Sequence, residues 1–164
     1  MMKSYTLGFK RKRSGRTDYK KRLNLLLSKK PRLVVRKSIK NIIAQLIEYN
    51  KDGDKVLLSS HSSELKKYGW EGKKGDVPAA YLVGLLVGNK AKKKGVTELI
   101  LDLGLQKSVK GSRIYSVLKG CVDAGLNIPH SESILPAEDR IKGKHIKNFD
   151  VNKFEEVKNK ILGA

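Results

Sequence analysis

Three basic segments of this chain hold the side chains best suited to bind a polyanion. They are residues 9–22, residues 36–41 and residues 106–113. Arginine can grip a phosphate through two parallel hydrogen bonds, and lysine adds a mobile point charge. Serine, asparagine and glutamine in the second and third segments can contact ribose hydroxyls and base edges. Each segment alone is compatible with a solvated turn, but together they predict a phosphate-binding surface.

Aromatic residues accompany the first basic segment. Tyr5, Phe9 and Tyr19 offer flat faces on which unpaired bases could stack. Asp18 is the only acid in the segment, and we expect it to cap a short helix that starts near Thr17. The composition is also compatible with an arm that is disordered until it binds a partner.

The net charge of the chain is +20 over 164 residues, and it is concentrated near one end. Residues 1–40 hold fifteen Lys or Arg and one acid. Repulsion of this size is relieved by a polyanion: a nucleic acid, an anionic membrane or an acidic protein. The basic segments lack the apolar helix face that a membrane surface would require. No helix-turn-helix, zinc finger or basic zipper is recognisable, which favours RNA over DNA.

Patterns for catalysis or metal binding are weak. His61, His130 and His145 are widely spaced and Cys121 is the only cysteine, so we predict neither a metal site nor a cofactor, and no enzymatic activity. The stretch at 84–90, "GLLVGNK", lacks the spacing of a phosphate loop. Two alternatives remain open, namely a small nuclease and a generic RNA chaperone or binder of acidic proteins.

The strands that must position these segments follow from alternating and β-branched residues. Residues 32–38, 42–49 and 56–62 predict an antiparallel three-stranded meander, with short turns between the strands. Residues 98–103 predict a fourth strand after a helix, and such a crossover makes a parallel strand. The expected fold class is therefore α/β, with a mixed four-stranded sheet.

Two helices are expected to cover this sheet. One lies between Asp76 and Gly95, where Gly84 and Gly88 predict close packing on the sheet, and the other spans 113–125. An extended C-terminal tail ends in a short helix from about 151 to 162. The predicted domains are a basic N-terminal arm over 1–30, a globular domain over 31–128 and the tail over 129–164.

We expect a soluble protein of a reducing, cytoplasmic compartment that does not associate with membranes. No secretory signal is recognisable at the N-terminus. The longest apolar run, residues 77–88, is shorter than the ~20 residues of a membrane-spanning helix.

Five stretches of the sequence resemble one protein family. They are "GRTDYKKRLNLL" (15–26), "PRLVVRKSIKNIIAQLIEY" (31–49), "DVPAAYLVGLLVGNKA" (76–91), "LDLGLQKSVKGSRIYSVLKGCVDAGLNIPHS" (101–131) and "RIKGKHI" (140–146). They are similar to the archaeal branch of the large-subunit ribosomal protein eighteen family.

This resemblance implies a structural protein of the ribosome that binds 5S rRNA in the central protuberance. It implies a ribonuclease-H-like topology without catalytic carboxylates. The implied partners are 5S rRNA, the large-subunit rRNA and neighbouring ribosomal proteins, including universal large-subunit protein five. The candidate RNA-binding residues are Phe9, Arg11, Arg13, Arg16, Thr17, Tyr19, Arg22, Arg32, Arg36, Lys37, Ser38, Lys40, Asn41, Gln106, Lys107, Ser108, Lys110, Ser112 and Arg113.

Overall fold

A mixed four-stranded sheet forms the centre of the computed structural model, which describes residues 6–147 and 149–163. The strand order is β3-β2-β1-β4. The first three strands pair antiparallel and β4 pairs parallel with β1, which confirms the predicted sheet. Tyr5 lies outside the described residues. The strands are β1 Arg32–Lys37, β2 Ile42–Glu48, β3 Lys55–His61 and β4 Ile100–Asp102.

The two predicted covering helices are also present, together with shorter ones. The longer of the two packs on β2 and β3, and the other contacts β1. An eight-residue helix in the N-terminal arm, a helix near the C-terminus and two four-residue helices complete the set. The helices are α1 Lys10–Arg13, α2 Tyr19–Leu26, α3 Val77–Lys93, α4 Arg113–Asp123, α5 Glu138–Ile141 and α6 Val151–Leu162.

The two faces of the sheet have different neighbours. Leu33 and Val35 on β1 point into the hydrophobic core beneath α3 and α4. Alternate residues of a strand point to opposite faces, so Arg32, Val34 and Arg36 point the other way. The N-terminal arm lies across that second face.

The glycines of α3 contact a helix rather than the sheet, so the predicted packing partner is wrong. A Cβ on Gly84 would overlap the carbonyl of Val117, and a Cβ on Gly88 would lie 2.5 Å from the Cβ of Ala124. Gly120 of α4 approaches the carbonyl of Tyr81 in the same way. The backbones of α3 and α4 can therefore come closer together than larger residues would permit.

A 3-10 helix, Ser62–Tyr68, follows β3 and is an element that the sequence did not predict. Its start is a capping box: His61 Nδ1 accepts from the Ser63 amide, and Glu64 accepts from the His61 amide. Gly69 ends the helix in the left-handed conformation with φ of 90°. Histidine is an unusual residue for this cap, which explains why the pattern was missed.

Helix α6 has the bounds that the sequence predicted, and it packs on the core. Phe154, Val157 and Ile161 are each 1% exposed. The Phe154 ring lies 5.9 Å from that of Tyr81 on α3, and Asn89 donates to the Ile161 carbonyl. A second 3-10 helix, Glu132–Ile134, lies in the segment that leads to α5 and α6.

Candidate nucleic-acid interface

The parallel pairing of β1 and β4 brings two of the three basic segments to one edge of the sheet. Val34 pairs with Asp102, so both strands end on the same side. Arg36 and Lys37 close β1 there, while the chain beyond β4 turns at Gly104, whose added Cβ would lie 3.9 Å from Arg36 Nη1. The start of the third segment, at Gln106, donates from Nε2 to the Val35 carbonyl over 2.8 Å.

Arg113 connects the other end of the third segment to the β1–β2 turn. Its Nη1 donates to the carbonyls of Ser38 at 3.0 Å and Gly75 at 2.8 Å. Ser38 closes the turn itself, because its Oγ accepts from the Asn41 amide at 2.9 Å. The Ser38 and Asn41 polar groups thus shape the turn, and Lys40 is exposed at its tip.

The N-terminal arm is held over this edge by α2. Lys21 Nζ donates to the Gly104 carbonyl at 3.1 Å, and Arg22 Nη2 bonds both carboxylate oxygens of Asp54 at 2.8 and 2.9 Å. Asp18 Oδ1 accepts from the Lys21 amide at 3.0 Å, which confirms the predicted cap. Residue separations of 83 and 32 make these long-range contacts.

A buried arginine joins the arm contact to the sheet. Arg32 is 2% exposed and bonds Asp54 Oδ2 at 2.6 Å and Asp102 Oδ2 at 2.8 Å. Partial burial acts to raise the pKa of Asp54, but hydrogen bonds from Arg22 and Arg32 outweigh it and hold that pKa below its ordinary value. Arg32 was predicted to contact RNA. Its guanidinium is covered and paired with two acids, so it links β4 to the β2–β3 turn that Arg22 of the arm binds. Contact of Arg32 with RNA stays a prediction.

Between the arm and the sheet lies a groove of about 540 Å³, which we call the arm groove. Val34 and Ile47 contribute an apolar floor, while Asp18, Asp54 and Asp102 each accept a bond from a neighbouring group. Three of the cations, Arg16, Arg36 and Lys37, form no ion pair with any described residue. The cationic lining consists of Arg11, Arg16, Lys21, Arg22, Arg32, Arg36 and Lys37.

The remaining candidate residues divide into exposed and inward-facing groups. Arg13, Lys107 and Lys110 are exposed beside the interface. Ser108 bonds the Tyr115 hydroxyl at 2.5 Å, and the Ser112 hydroxyl is buried with no hydrogen-bond partner among the described residues. The Ser112 hydroxyl therefore faces into the protein, whereas Ser108 is exposed and its hydroxyl is paired with Tyr115. Neither residue lines the arm groove.

Two further candidates lie on the arm itself. Thr17 accepts a bond from Arg11 Nε at 2.9 Å, which orders the link between α1 and α2. The rings of Phe9 and Tyr19 lie 5.1 Å apart, so they stack on each other. Phe9 is still 70% exposed and does not line the arm groove.

Three residues of this site were missed from the sequence: Lys21, Asp54 and Asp102. Neither acid was assigned a role from the sequence. A useful signal was present in "RLVVRK", where Arg32 opens a strand of apolar residues. An arginine that becomes covered requires acidic partners, and the acids nearest to strand ends are the candidates.

Other site types find little support in the described part of the chain. It contains no cluster of three or more His, Cys, Asp or Glu able to hold a metal ion. None of its helices is long and apolar enough to cross a membrane.

Comparison with known protein families gives one assignment. The model of the family described as ribosomal large subunit proteins 60S L5 and 50S L18 matches residues 3–98 and 89–131. The match covers most of the chain and includes all three basic segments. The protein therefore belongs to this family of large-subunit ribosomal proteins.

Proposed function

We propose that this protein binds 5S rRNA and helps to attach it to the large rRNA in the central protuberance. Membership of the family implies a place in the ribosome and partners among rRNA and ribosomal proteins. The observation that carries the finer proposal is that the first two basic segments supply the cations of the arm groove other than Arg32, and that the third segment reaches the groove through Gln106. These cations come from the N-terminal arm, including α2, and from β1.

The proposed mechanism is electrostatic docking on an ordered frame. Arg16, Arg36 and Lys37 have no ion-pair partner in the described structure, so they are available to phosphates. Lys40, Lys107 and the other exposed cations of the two loops extend this surface. Selectivity then comes from RNA shape and from a few contacts to ribose or bases, as is usual for structured RNA.

Arg32 and Arg113 take supporting roles in this proposal. Arg32 holds Asp54 and Asp102, and Arg113 holds two backbone carbonyls near the β1–β2 turn. Both side chains position the residues that meet RNA. The contacts of Arg32 and Arg113 also keep the sheet edge in place when the arm binds RNA.

Further parts of the proposal follow from the sequence resemblance alone. They are an archaeal type of the family, a cytoplasmic ribosome, a ribonuclease-H-like topology and contact with universal large-subunit protein five. The division into an arm over 1–30, a domain over 31–128 and a tail over 129–164 likewise stays a prediction.

We also propose that the protein has no nuclease activity. The family is one of structural components rather than enzymes. Asp54 and Asp102 are the acids that a metal-dependent nuclease would need at this edge, but both are bound to Arg32. Incubation of 5S rRNA with the protein and Mg²⁺ or Mn²⁺ should therefore leave the RNA intact. Protein-dependent cleavage would support the nuclease alternative.

Competition binding tests the main proposal against a generic polyanion binder. Labelled 5S rRNA bound to the protein is challenged with unlabelled 5S rRNA, tRNA or polyglutamate at equal charge concentration. We expect 5S rRNA to compete at least about tenfold better than the other two, because only it matches the shape of the interface. Equal competition by all three would refute selective binding.

A further inference from the structure

Helix α2 exposes apolar residues on the side that faces away from the sheet. Tyr19, Leu23 and Leu27 are four residues apart and therefore share one face of the helix. Leu23 is 59% exposed and Leu27 is 71% exposed. Phe9 stacks on Tyr19 and continues the same surface. We call these four residues the outer stripe.

The opposite face of α2 is the more polar one. Asp18, Lys21, Arg22 and Leu25 line the arm groove, and three of these four are charged. A surface helix normally turns its apolar face inward and its charges to solvent. Helix α2 has the reverse arrangement, because its charged side faces the sheet. There Lys21 donates to the Gly104 carbonyl and Arg22 bonds Asp54. The outer stripe is thus left for another surface to cover.

The chemistry of the outer stripe favours a protein over RNA as its occupant. Leu23 and Leu27 have neither a flat face for a base nor a hydrogen-bonding group. The two aromatic rings of the stripe, Phe9 and Tyr19, already pack on each other. Burial of leucine is favourable against other apolar side chains. Protein interfaces have the matching arrangement of an apolar centre and a polar rim.

The charges around the outer stripe indicate the charge of the partner surface that surrounds the apolar contact. Lys20 and Lys29 are exposed cations on and just after α2, and Arg13 is an exposed cation near Phe9. Asp18 is the only acid between residues 6 and 30, and its carboxylate caps α2. We propose that the outer stripe binds a neighbouring protein of the large subunit through a surface with an apolar centre and an acidic rim.

This inference rests on the ribosomal setting of the proposed function, and it assigns the two faces of the arm to two partners. The groove face of α2 meets RNA, and the outer stripe meets protein. The arm would then lie between rRNA and a protein neighbour, which fixes its orientation from both sides.

Site-specific photo-crosslinking in assembled large subunits tests the assignment. One variant carries benzoylphenylalanine in place of Leu27, and the matched control carries it in place of Lys37 beside the arm groove. We expect the Leu27 probe to give an adduct that survives ribonuclease and joins a peptide with apolar residues flanked by Asp or Glu. The Lys37 probe should give an RNA adduct.

The two probes separate the two proposals. An RNA adduct alone, or no adduct, from the Leu27 probe overturns the protein contact whatever the Lys37 probe does. Failure of the Lys37 probe to reach RNA counts instead against the proposed function.

A double substitution gives a second, independent measurement. Leu23→Ser with Leu27→Ser should leave 5S rRNA affinity within about twofold and weaken retention in salt-washed subunits by about tenfold, since two apolar contacts are lost. Leu162→Ser, at a leucine of α6 that is 48% exposed, is the matched control and should be retained normally. Retention of the double variant at the wild-type level, or an equal loss in the control, would contradict the inference.

Discussion

Two regions of the molecule are held by different kinds of contact: the helix pair α3 and α4, and the N-terminal arm. Between α3 and α4 the contact is apolar and so close that Gly84 and Gly120 cannot carry a side chain. The arm instead makes a few polar contacts, through Lys21 and Arg22, and leaves leucines exposed. The first region is complete within the chain. The second has both charge and apolar surface left for partners, which is the expected property of a component of an assembly.

Substitution of Gly84 by alanine should have the largest effect, because the new Cβ would overlap the Val117 carbonyl in a region that cannot move easily. We expect a loss of at least about 3 kcal/mol in the free energy of unfolding, measured by urea denaturation. Gly8→Ala, in open space on the arm, is the control and should be close to neutral. Equal stability of both variants would show that the close contact between α3 and α4 can adjust to a larger residue.

Arg32→Ala should have the next largest effect, since it leaves Asp54 and Asp102 without their shared cation. Removing one partner of a buried ion pair is costly, and we expect a loss of about 2 kcal/mol in unfolding free energy. Arg22→Ala breaks a more exposed pair with the same Asp54 and should cost less than about 1 kcal/mol. A larger loss for Arg22 than for Arg32 would place the stabilising contact in the arm rather than in the sheet.

Arg36→Ala should affect binding and leave stability alone. Arg36 is exposed and lines the arm groove, so its loss removes a phosphate contact without opening the core. We expect about tenfold weaker binding to 5S rRNA, or ~1.4 kcal/mol, in a filter assay at fixed salt. Arg36→Lys keeps the charge and should lose less. Unchanged affinity in the alanine variant would remove Arg36 from the interface.

Acid should destabilise the protein modestly through Asp54 and Glu64. Partial burial acts to raise both pKa values, but hydrogen bonds from Arg22 and Arg32 to Asp54, and from Lys90 to Glu64, hold the pKa of each below its ordinary 3.8 or 4.5. A carboxylate with a lowered folded-state pKa stabilises the fold above its ordinary pKa and loses that contribution as the pH falls through the lowered value.

Urea denaturation between about pH 6 and pH 2 measures this loss, which begins near the ordinary pKa values and continues below them. Asp54→Asn should flatten the pH dependence more than Asp52→Asn in the same turn, because Asp54 is paired with Arg22 and Arg32. An identical acid response in the wild type and the Asp54 variant would exclude the contact of Asp54 with the arginines as its source.

Local patterns predicted the elements, and long-range contacts decided their partners. The valines of "RLVVRK" and the capping position of Asp18 were sufficient for β1 and for the start of α2. The partner of Gly84 could not be read from spacing, because a small residue on a helix permits close approach by a sheet or another helix alike. The burial of Arg32 depends on an arm and a turn that are distant in sequence.

The candidate site was predictable to a similar degree. The three basic segments were visible as composition, and parallel pairing of β1 with β4 explains why two of them meet. That the Ser112 hydroxyl is buried and the Ser108 hydroxyl is paired with Tyr115 could not be predicted, since a polar loop in sequence does not say which of its hydroxyls face solvent. The contact of Lys21 with the Gly104 carbonyl required the fold itself.

The salt dependence of 5S rRNA binding tests most directly whether the arm groove is the interface. A groove variant and a control variant each lose four positive charges to glutamine. The groove variant changes Arg11, Arg16, Arg36 and Lys37, and the control changes the exposed Lys66, Lys67, Lys92 and Lys160 on the helical side.

Binding constants are measured for both variants and the wild type over a range of salt concentrations. The wild type should show a linear log–log plot with a slope of about 0.7 to 0.9 per phosphate neutralised. The groove variant should lose roughly three units of slope and most of its affinity, and the control should lose less than about one unit. Equal losses in the two variants would contradict a directed interface and indicate binding by net charge alone.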